Sequence, residues 1–254
     1  MITIYHSDCL KKMKELESGS VNLILTDPPF NTGHQIVYRD TSYEDDFDHE
    51  TYISAMKSIM KEAYRVLADN GTIYVMLDYH SVHYIKVAMD EIFGMDNFLG
   101  EIIWSYDFGG RTKKFFPNKH MTFLVYAKDI DNYTFNYDAI DREPYMAPAL
   151  CGEEKAEIGK KPNSVWWNSI VGTNSKERNI GAYATKKPLK LFDRIIRASS
   201  NIGDTVLDMF AGSGTTGHAS EQNGRNSIMI DNNEEAIKAM KERYTEYELN
   251  YQIG

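Results

Sequence analysis

The stretch from Thr205 to Asp231 narrows the possible folds more than any other part of this chain. Thr205-Val206-Leu207-Asp208 has strand character and runs into Gly212-Ser213-Gly214-Thr215-Thr216-Gly217. Helical spacing then carries to Asn223, and a second strand, Ser227 to Ile230, ends at Asp231. A strand, a glycine turn, a helix and a strand-end acid in this order make a βαβ unit, the building block of parallel sheets that bind ligands at their C-terminal strand ends. Gly212 and Gly214 spare the backbone a Cβ where a ligand comes close, and Asp231 is placed to accept hydrogen bonds from ribose hydroxyls. A bound adenosine cofactor is implied, and the glycine pattern leaves its kind open.

The rest of the chain agrees with such a sheet. Runs of β type recur at Ile2–Tyr5, Val21–Thr26, Thr72–Leu77, Leu99–Ser105 and Met121–Ala127, which with the two above predict seven strands. Core-facing helical spacing fills Tyr52–Leu67 before the stop signal Asp69-Asn70-Gly71, and recurs at Val82–Phe93, Pro188–Ser199, Thr215–Asn223 and Glu234–Tyr247. Strands alternating with helices predict an α/β fold with a doubly wound, mostly parallel sheet. Leu99–Ala127 differs: two strands joined by a basic segment containing Gly109-Gly110 suit an antiparallel edge pair. From Tyr133 to Ala184 the periodicity is lost, and a loop-rich insertion is expected.

Composition closes off several classes. With 42% hydrophobic and 26% charged residues among 254, and only 7 Pro and 17 Gly, the chain is a globule and bulk disorder is excluded. No apolar run reaches the ~18 residues of a membrane span, and Met1–Asp8 has no secretory character, so a cytoplasmic protein is expected. Cys9 and Cys151 are too few for a disulfide framework, and neither they nor His80, His83 and His120 show ligand spacing, so no metal is expected. A net charge of −9 rules out a generally basic nucleic-acid coat. Nucleic-acid contact must then be local. The best candidate is the acid-free stretch from Arg111 to His120, with Arg111, Lys113, Lys114 and Lys119 around Phe115 and Phe116. The acidic run Tyr43–Glu50 reads as a solvated loop leading into a helix, and Trp166-Trp167 as a loop anchor on the core.

Two further acids carry chemistry. Asp208, immediately before the glycine turn, would repel a pyrophosphate and attract a ligand bearing an ammonium and a sulfonium. An NAD-linked oxidoreductase and a user of S-adenosylmethionine are the two readings of the turn. Val21–Thr26 ends in Asp27-Pro28-Pro29-Phe30. The prolines lack N–H groups, so the carbonyls near them are free to point into a cleft. An acid with such carbonyls offers acceptors and no donor, which suits a substrate amino group: the Asp27 carboxylate and the Pro28 carbonyl would take its two N–H bonds. Phe30 offers a face for a planar heterocycle. The plain alternative is a rigid turn with Phe30 in the core.

Taken together, Asp27-Pro28-Pro29-Phe30 resembles the catalytic DPP(Y/F) motif of amino-methylating DNA methyltransferases, and Asp208-Met209-Phe210-Ala211-Gly212-Ser213-Gly214-Thr215-Thr216 resembles their cofactor motif. The catalytic motif comes first, as in their circularly permuted β group. His6-Ser7-Asp8-Cys9-Leu10 resembles the strand-end acid segment that holds the cofactor's adenine, and Thr185-Lys186-Lys187-Pro188-Leu189 their TQKP segment, with Lys186 in place of Gln.

This resemblance implies a class I methyltransferase fold of seven strands. Its catalytic half would span 1–132, a target-recognition insertion 133–184, and the S-adenosylmethionine-binding half 185–254. It implies cofactor contacts from Asp8, Cys9, Lys187, Leu189, Asp208, Phe210, Ala211, Gly212, Gly214, Thr215, Thr216, Asp231 and Asn232, with Asp27, Pro28, Pro29 and Phe30 catalytic. The chemistry would be in-line methyl transfer to the exocyclic amine of a base flipped out of DNA. Asp at position 27 favours adenine N6 over cytosine N4 by analogy. Transfer to cytosine C5 is disfavoured, because neither cysteine follows a proline as such a nucleophile would. The short insertion suggests a homodimer or another partner, and the family suggests a bacterial or phage-encoded, restriction-modification setting.

Overall fold

The computed structural model describes residues 1–38, 41–43, 45–107, 112–167, 186–245 and 249–253. Its centre is β2 (Val21–Thr26), buried at every position except Asn22. A strand apolar on both faces needs helices above and below it. Its neighbours are β9 (Thr205–Asp208) and β5 (Leu67–Leu77), both parallel to it. With β1 (Ile2–His6), β6 (Phe98–Ser105), β7 (His120–Ala127), β8 (Val165–Trp167), β10 (Asn226–Asp231) and β11 (Leu249–Ile253), the sheet order is β11-β1-β10-β9-β2-β5-β7-β6-β8. Among the described strands of this sheet only β7 runs against the rest. A separate hairpin pairs β3 (Ile36–Tyr38) with β4 (Thr41–Tyr43).

All seven expected strands form, but among the described residues the sheet has nine strands. The additions are β8 and β11, one at each end. β8 is Val165-Trp166-Trp167 and β11 is Leu249-Asn250-Tyr251-Gln252-Ile253, whose apolar residues alternate; each pairs along an otherwise open edge of the sheet. The antiparallel pair β6/β7 forms as expected, except that β8 covers it and takes the edge. Asp69-Asn70-Gly71 is not a connection either. The helix ends at Val66, and these residues lie inside β5, where the register jumps from Val21↔Leu67 to Leu23↔Thr72. The Asn70 and Gly71 carbonyls accept the amides of Thr134 and Lys128, which satisfies a backbone that β2 cannot pair.

Alternate residues of the strands point to opposite layers. Ile24, Ile73, Val75 and Leu207 pack on α1 (Cys9–Met13), α2 (His49–Val66) and α3 (Val82–Phe93). Leu23, Leu25, Tyr74 and Val206 pack on α5 (Leu189–Ser199) and on Ala219 of α6 (Thr215–Gln222), and α7 (Glu234–Arg243) covers β1 and β10. The last helix stops at Arg243, short of the expected Tyr247, because Tyr244 turns inward and is fully buried.

The described part of the insertion holds only α4 (Glu153–Ile158), two single 3-10 turns and β8. Its first segment is fastened to the body. Arg194 on α5, 3% exposed, donates to Asp141 and Glu143 and lies 4.8 Å over the Trp166 ring. Trp166 is thus the expected anchor, whereas Trp167 is exposed. Among the described residues, no helix is long and apolar enough to cross a membrane.

Candidate active site

Because β2 and β9 are adjacent, the ends of the two strands carry Asp27 and Asp208 to the same edge of the sheet. Asp208 fastens them together. Thr26 donates to Oδ1 at 3.1 Å, Thr216 of α6 to Oδ2 at 2.5 Å, and the Phe210 amide to Oδ1 at 3.1 Å. Burial nevertheless dominates and pushes this carboxyl up to about 7, against the three donors that favour its charged form.

The glycine turn is held from behind. Gly214 caps α6 at φ +77°, in the left-handed region, and its carbonyl accepts the Tyr244 hydroxyl. Gly217 is needed for the same contact, since a Cβ there would lie 2.5 Å from that hydroxyl. The third glycine of the pattern makes room for Tyr244. Gly212 donates to Asp231 Oδ2 at 2.8 Å and Asn233 to Oδ1 at 2.9 Å, so Asp231 braces the turn while it faces the cleft. Burial raises its carboxyl as well.

The cleft formed here has a volume of about 630 Å³. Asp8, Cys9, Phe210, Ala211, Gly212, Thr215 and Asn232 line it, together with Asp27-Pro28-Pro29-Phe30, Lys187, Asp208 and Asp231. Asp8 also caps α1 through the Lys11 amide, and burial, with Asp8 second, pushes the Cys9 thiol up to about 12. Three expected cofactor residues are not in the lining. Leu189 opens α5 and packs against the core beside Leu23 and Leu25, because the helix turns its apolar stripe to the sheet. Gly214 and Thr216 sit behind the turn, serving Tyr244 and Asp208.

Around Asp27 the picture is more specific than free acceptors. Oδ2 is ion-paired with Lys187, in the cleft wall and not sealed in the core, while Oδ1 is shielded from solvent and has no hydrogen-bond partner among the described residues. Burial raises the Asp27 carboxyl and Lys187 opposes the rise. The Pro29 carbonyl is not free, since it accepts the Tyr52 hydroxyl at 2.7 Å; no donor among the described residues reaches that of Pro28. Phe30 is 8% exposed, part of the core cluster and of the cleft wall at once, with Lys187 Nζ 5.4 Å from its ring centre.

Sequence reasoning missed the support of this loop. Asp45, assigned to a solvated acidic run, is 1% exposed. Its carboxylate accepts the Asn31 amide at 2.8 Å, the Thr32 amide at 3.1 Å and the Thr32 hydroxyl at 2.6 Å. Asn31 is left-handed at φ 59°, and its side chain accepts the Phe47 amide at 2.7 Å. The clue was Asn31-Thr32-Gly33, a donor-rich turn directly after Phe30 that needed an acceptor. Asp46, Asp48 and Glu50 are exposed as expected, with Asp48 capping α2.

The basic segment leaves the sheet at the same edge as the cleft. Thr122 of β7 pairs with Leu77 at the C-terminal end of β5, and Ser105 pairs with His120, so the β6–β7 connection leaves the sheet at the edge that bears Asp27. Lys113 and Lys114 are exposed, Lys119 is half-buried, and Arg111 lies outside the described residues. Among the described residues, no group of three His, Cys, Asp or Glu is placed to hold a metal ion.

The DNA methylase family matches residues 21–242, and the chain belongs to that family. It is 37% identical over 238 residues to the type II methyltransferase M.HpaI of Haemophilus parainfluenzae, covering 93% of this chain and 72% of that protein. It is 34% identical over 249 residues to the DNA adenine methyltransferase YhdJ of Escherichia coli (strain K12), covering 93% and 80%. The fold is that of the cytosine-N4-specific PvuII DNA methyltransferase, with a TM-score of 0.72 at 19% identity over 96% of this chain and 86% of that one. It is also that of a DNA modification methylase from Thermus thermophilus, TTHA0409, solved with S-adenosyl-L-methionine, with a TM-score of 0.68 at 20% identity over 100% and 99%. An NAD-linked oxidoreductase is thereby set aside.

S-adenosylmethionine, the methyl donor of such an enzyme, fits the residues present. The cleft volume is within the ~300–1,000 Å³ of small-molecule sites. Its wall carries the carboxylates of Asp8, Asp208 and Asp231, which match a cationic ligand with ribose hydroxyls.

The Tyr244 contact generates a prediction. Gly217→Ala should destabilise the fold by about 1–3 kcal/mol through overpacking. The Gly217→Ala/Tyr244→Phe double variant should lose less than the sum of the single changes, as read from denaturant unfolding. A Gly217→Ala protein as stable as the parent would refute the contact.

Proposed function

We propose that this protein methylates the exocyclic N6 of adenine in DNA, on a nucleotide flipped out of the duplex into the cleft. The observation that carries this reading is the unpartnered Asp27 Oδ1 at the end of β2, across from the glycine turn. A shielded acceptor without a donor is rare and calls for one. An amino group donating to Oδ1 and to the Pro28 carbonyl would satisfy both. Held that way, the nitrogen is drawn toward tetrahedral geometry with its lone pair aimed across the cleft.

When bound, S-adenosylmethionine supplies the electrophilic methyl group. The chain's residues do the rest. Asp8, Asp208 and Asp231 hold and orient the donor, Asp27 and Pro28 orient the amine, and Phe30 walls the base. Rate then comes from positioning and from acceptors that tolerate positive charge growing on nitrogen. Adenine is favoured over cytosine by the aspartate at position 27 and by the adenine methyltransferase among the relatives.

Lys113 and Lys114, with Lys119 and Arg111, are the proposed grip on the phosphates, since the connection between β6 and β7 leaves the sheet at the edge that bears Asp27. Residues 133–184 are the proposed target-recognition part, short enough that a homodimer belongs to the same reading. The catalytic-first motif order fits the permuted β group. A cytoplasmic site of action, where DNA and the methyl donor meet, completes the proposal.

Incubation with isotopically labelled methyl donor and varied DNA, followed by mass spectrometry of the nucleosides, tests it. N6-methyladenine is expected, and N4-methylcytosine would overturn the choice of base. Asp27→Ala should abolish transfer while leaving donor affinity within a few fold, and equal activity would remove Asp27 from the mechanism. The Lys113→Ala/Lys114→Ala variant should bind DNA more weakly and with a shallower salt dependence. An unchanged slope would move the phosphate contacts elsewhere.

A further inference from the structure

The pair between Lys187 and Asp27 lies in the wall of this cleft and divides the carboxylate into two unlike oxygens. Oδ2 is occupied by the ammonium and Oδ1 is unpartnered. Both side chains are largely removed from water, at 7% exposure for Lys187 and 16% for Asp27. The same Nζ lies 5.4 Å from the centre of the Phe30 ring, so one cation touches the proposed acceptor and the proposed wall of the base.

We propose that Lys187 is a positioning residue for methyl transfer: it holds Asp27 as an ionised, one-sided acceptor and sets the face of Phe30 beside it. This deepens the amino-methylation reading and rests on it. Asp27 on β2 is faced by Asp45 from the loop before α2, by Asp78 beyond β5, and by Asp208 at the end of β9, while Lys187 comes from the segment before α5. Burial and these like charges all favour the protonated carboxyl, and Lys187 alone among its named neighbours opposes them. A protonated Asp27 would present a hydroxyl where an acceptor is needed, and so would turn an amino group away.

The same geometry makes the choice of oxygen non-arbitrary. With the ammonium on Oδ2, an incoming amine finds only Oδ1. Without it, either oxygen could rotate toward the amine or toward a proton, and the fixed approach angle would be lost. Lys187 was expected among the cofactor contacts, and a purely cofactor-binding role makes a different prediction from this one.

The test is single-turnover methyl transfer to DNA between about pH 5.5 and 9 for the parent, Lys187→Met and Lys187→Arg, with donor affinity measured separately by calorimetry and folding checked by thermal melting. Removal of the ammonium should move the acid limb of the Lys187→Met profile to higher pH by about one unit or more. That is about a tenfold loss at the acid end. The loss should sit in the transfer rate, with donor affinity within about threefold. Lys187→Arg, which keeps the charge, should return the limb toward its original position.

An unchanged limb in Lys187→Met overturns the role, and so does a loss explained wholly by weaker donor binding. A parent protein that methylates no DNA defeats the functional reading and this role with it. A working parent beside a Lys187→Met variant with the same profile defeats the Lys187 role alone.

Discussion

A buried carboxylate at the end of β9 ties the two working parts of this molecule together. Asp208 receives Thr26 from the strand that carries Asp27, Thr216 from the helix that follows the glycine turn, and the Phe210 amide from the turn itself. Moving any of these groups moves the others. The arrangement is electrostatically uneasy, because burial lifts the carboxyl to about 7 from an ordinary value of 3.8. A carboxyl raised on folding stabilises the native state fully only below its unfolded pKa, and that contribution fades as pH rises through the folded one. Near neutrality the site therefore holds part of a charge that it does not solvate well. A cation bound in the cleft would relieve it, so the strain points toward the ligand.

Around Asp208 the support is arranged in layers. Tyr244 holds the Gly214 carbonyl from behind and Asp231 braces the Gly212 amide from the front. On the catalytic side Asp45 ties down Asn31 and Thr32, and Tyr52 ties down Pro29, so the segment after β2 has few ways to move. Such rigidity serves a reaction whose rate comes from alignment. In the cleft wall Lys187 faces several carboxyl groups whose charged forms burial disfavours.

Much of this was legible in the residues, for physical reasons. The seven principal strands show as runs of β-type residues, most plainly in β2 and the second half of β5, which are buried on both faces. The Asp208 turn and Asp27-Pro28-Pro29-Phe30 were readable because strand, turn, helix and acid follow one another along the chain. What stayed hidden was long-range. Asp45 looks like its exposed neighbours until the Asn31 and Thr32 amides are brought to it. The partner of Lys187 lies 160 residues away in sequence. Gly217 looks like part of a cofactor loop until Tyr244 is placed behind it. β8 and β11 are a three-residue and a five-residue run at the sheet edges; the alternation Leu249-Asn250-Tyr251-Gln252-Ile253 was there to be read, whereas Val165-Trp166-Trp167 is too short to carry a period. Leu189 was expected at the cleft from its motif, but the apolar stripe of α5 carries it to the core.

The central claim is that the Asp208 carboxylate, uneasy when buried alone, is what a cationic cofactor answers. It is tested most directly by calorimetric binding of S-adenosylmethionine to the parent and to Asp208→Asn between pH 6 and 8. The account predicts that affinity for the parent strengthens as pH rises through about 7, by up to about tenfold per unit on the acid side, and that Asp208→Asn lacks this component. The same pH dependence in both proteins would contradict it.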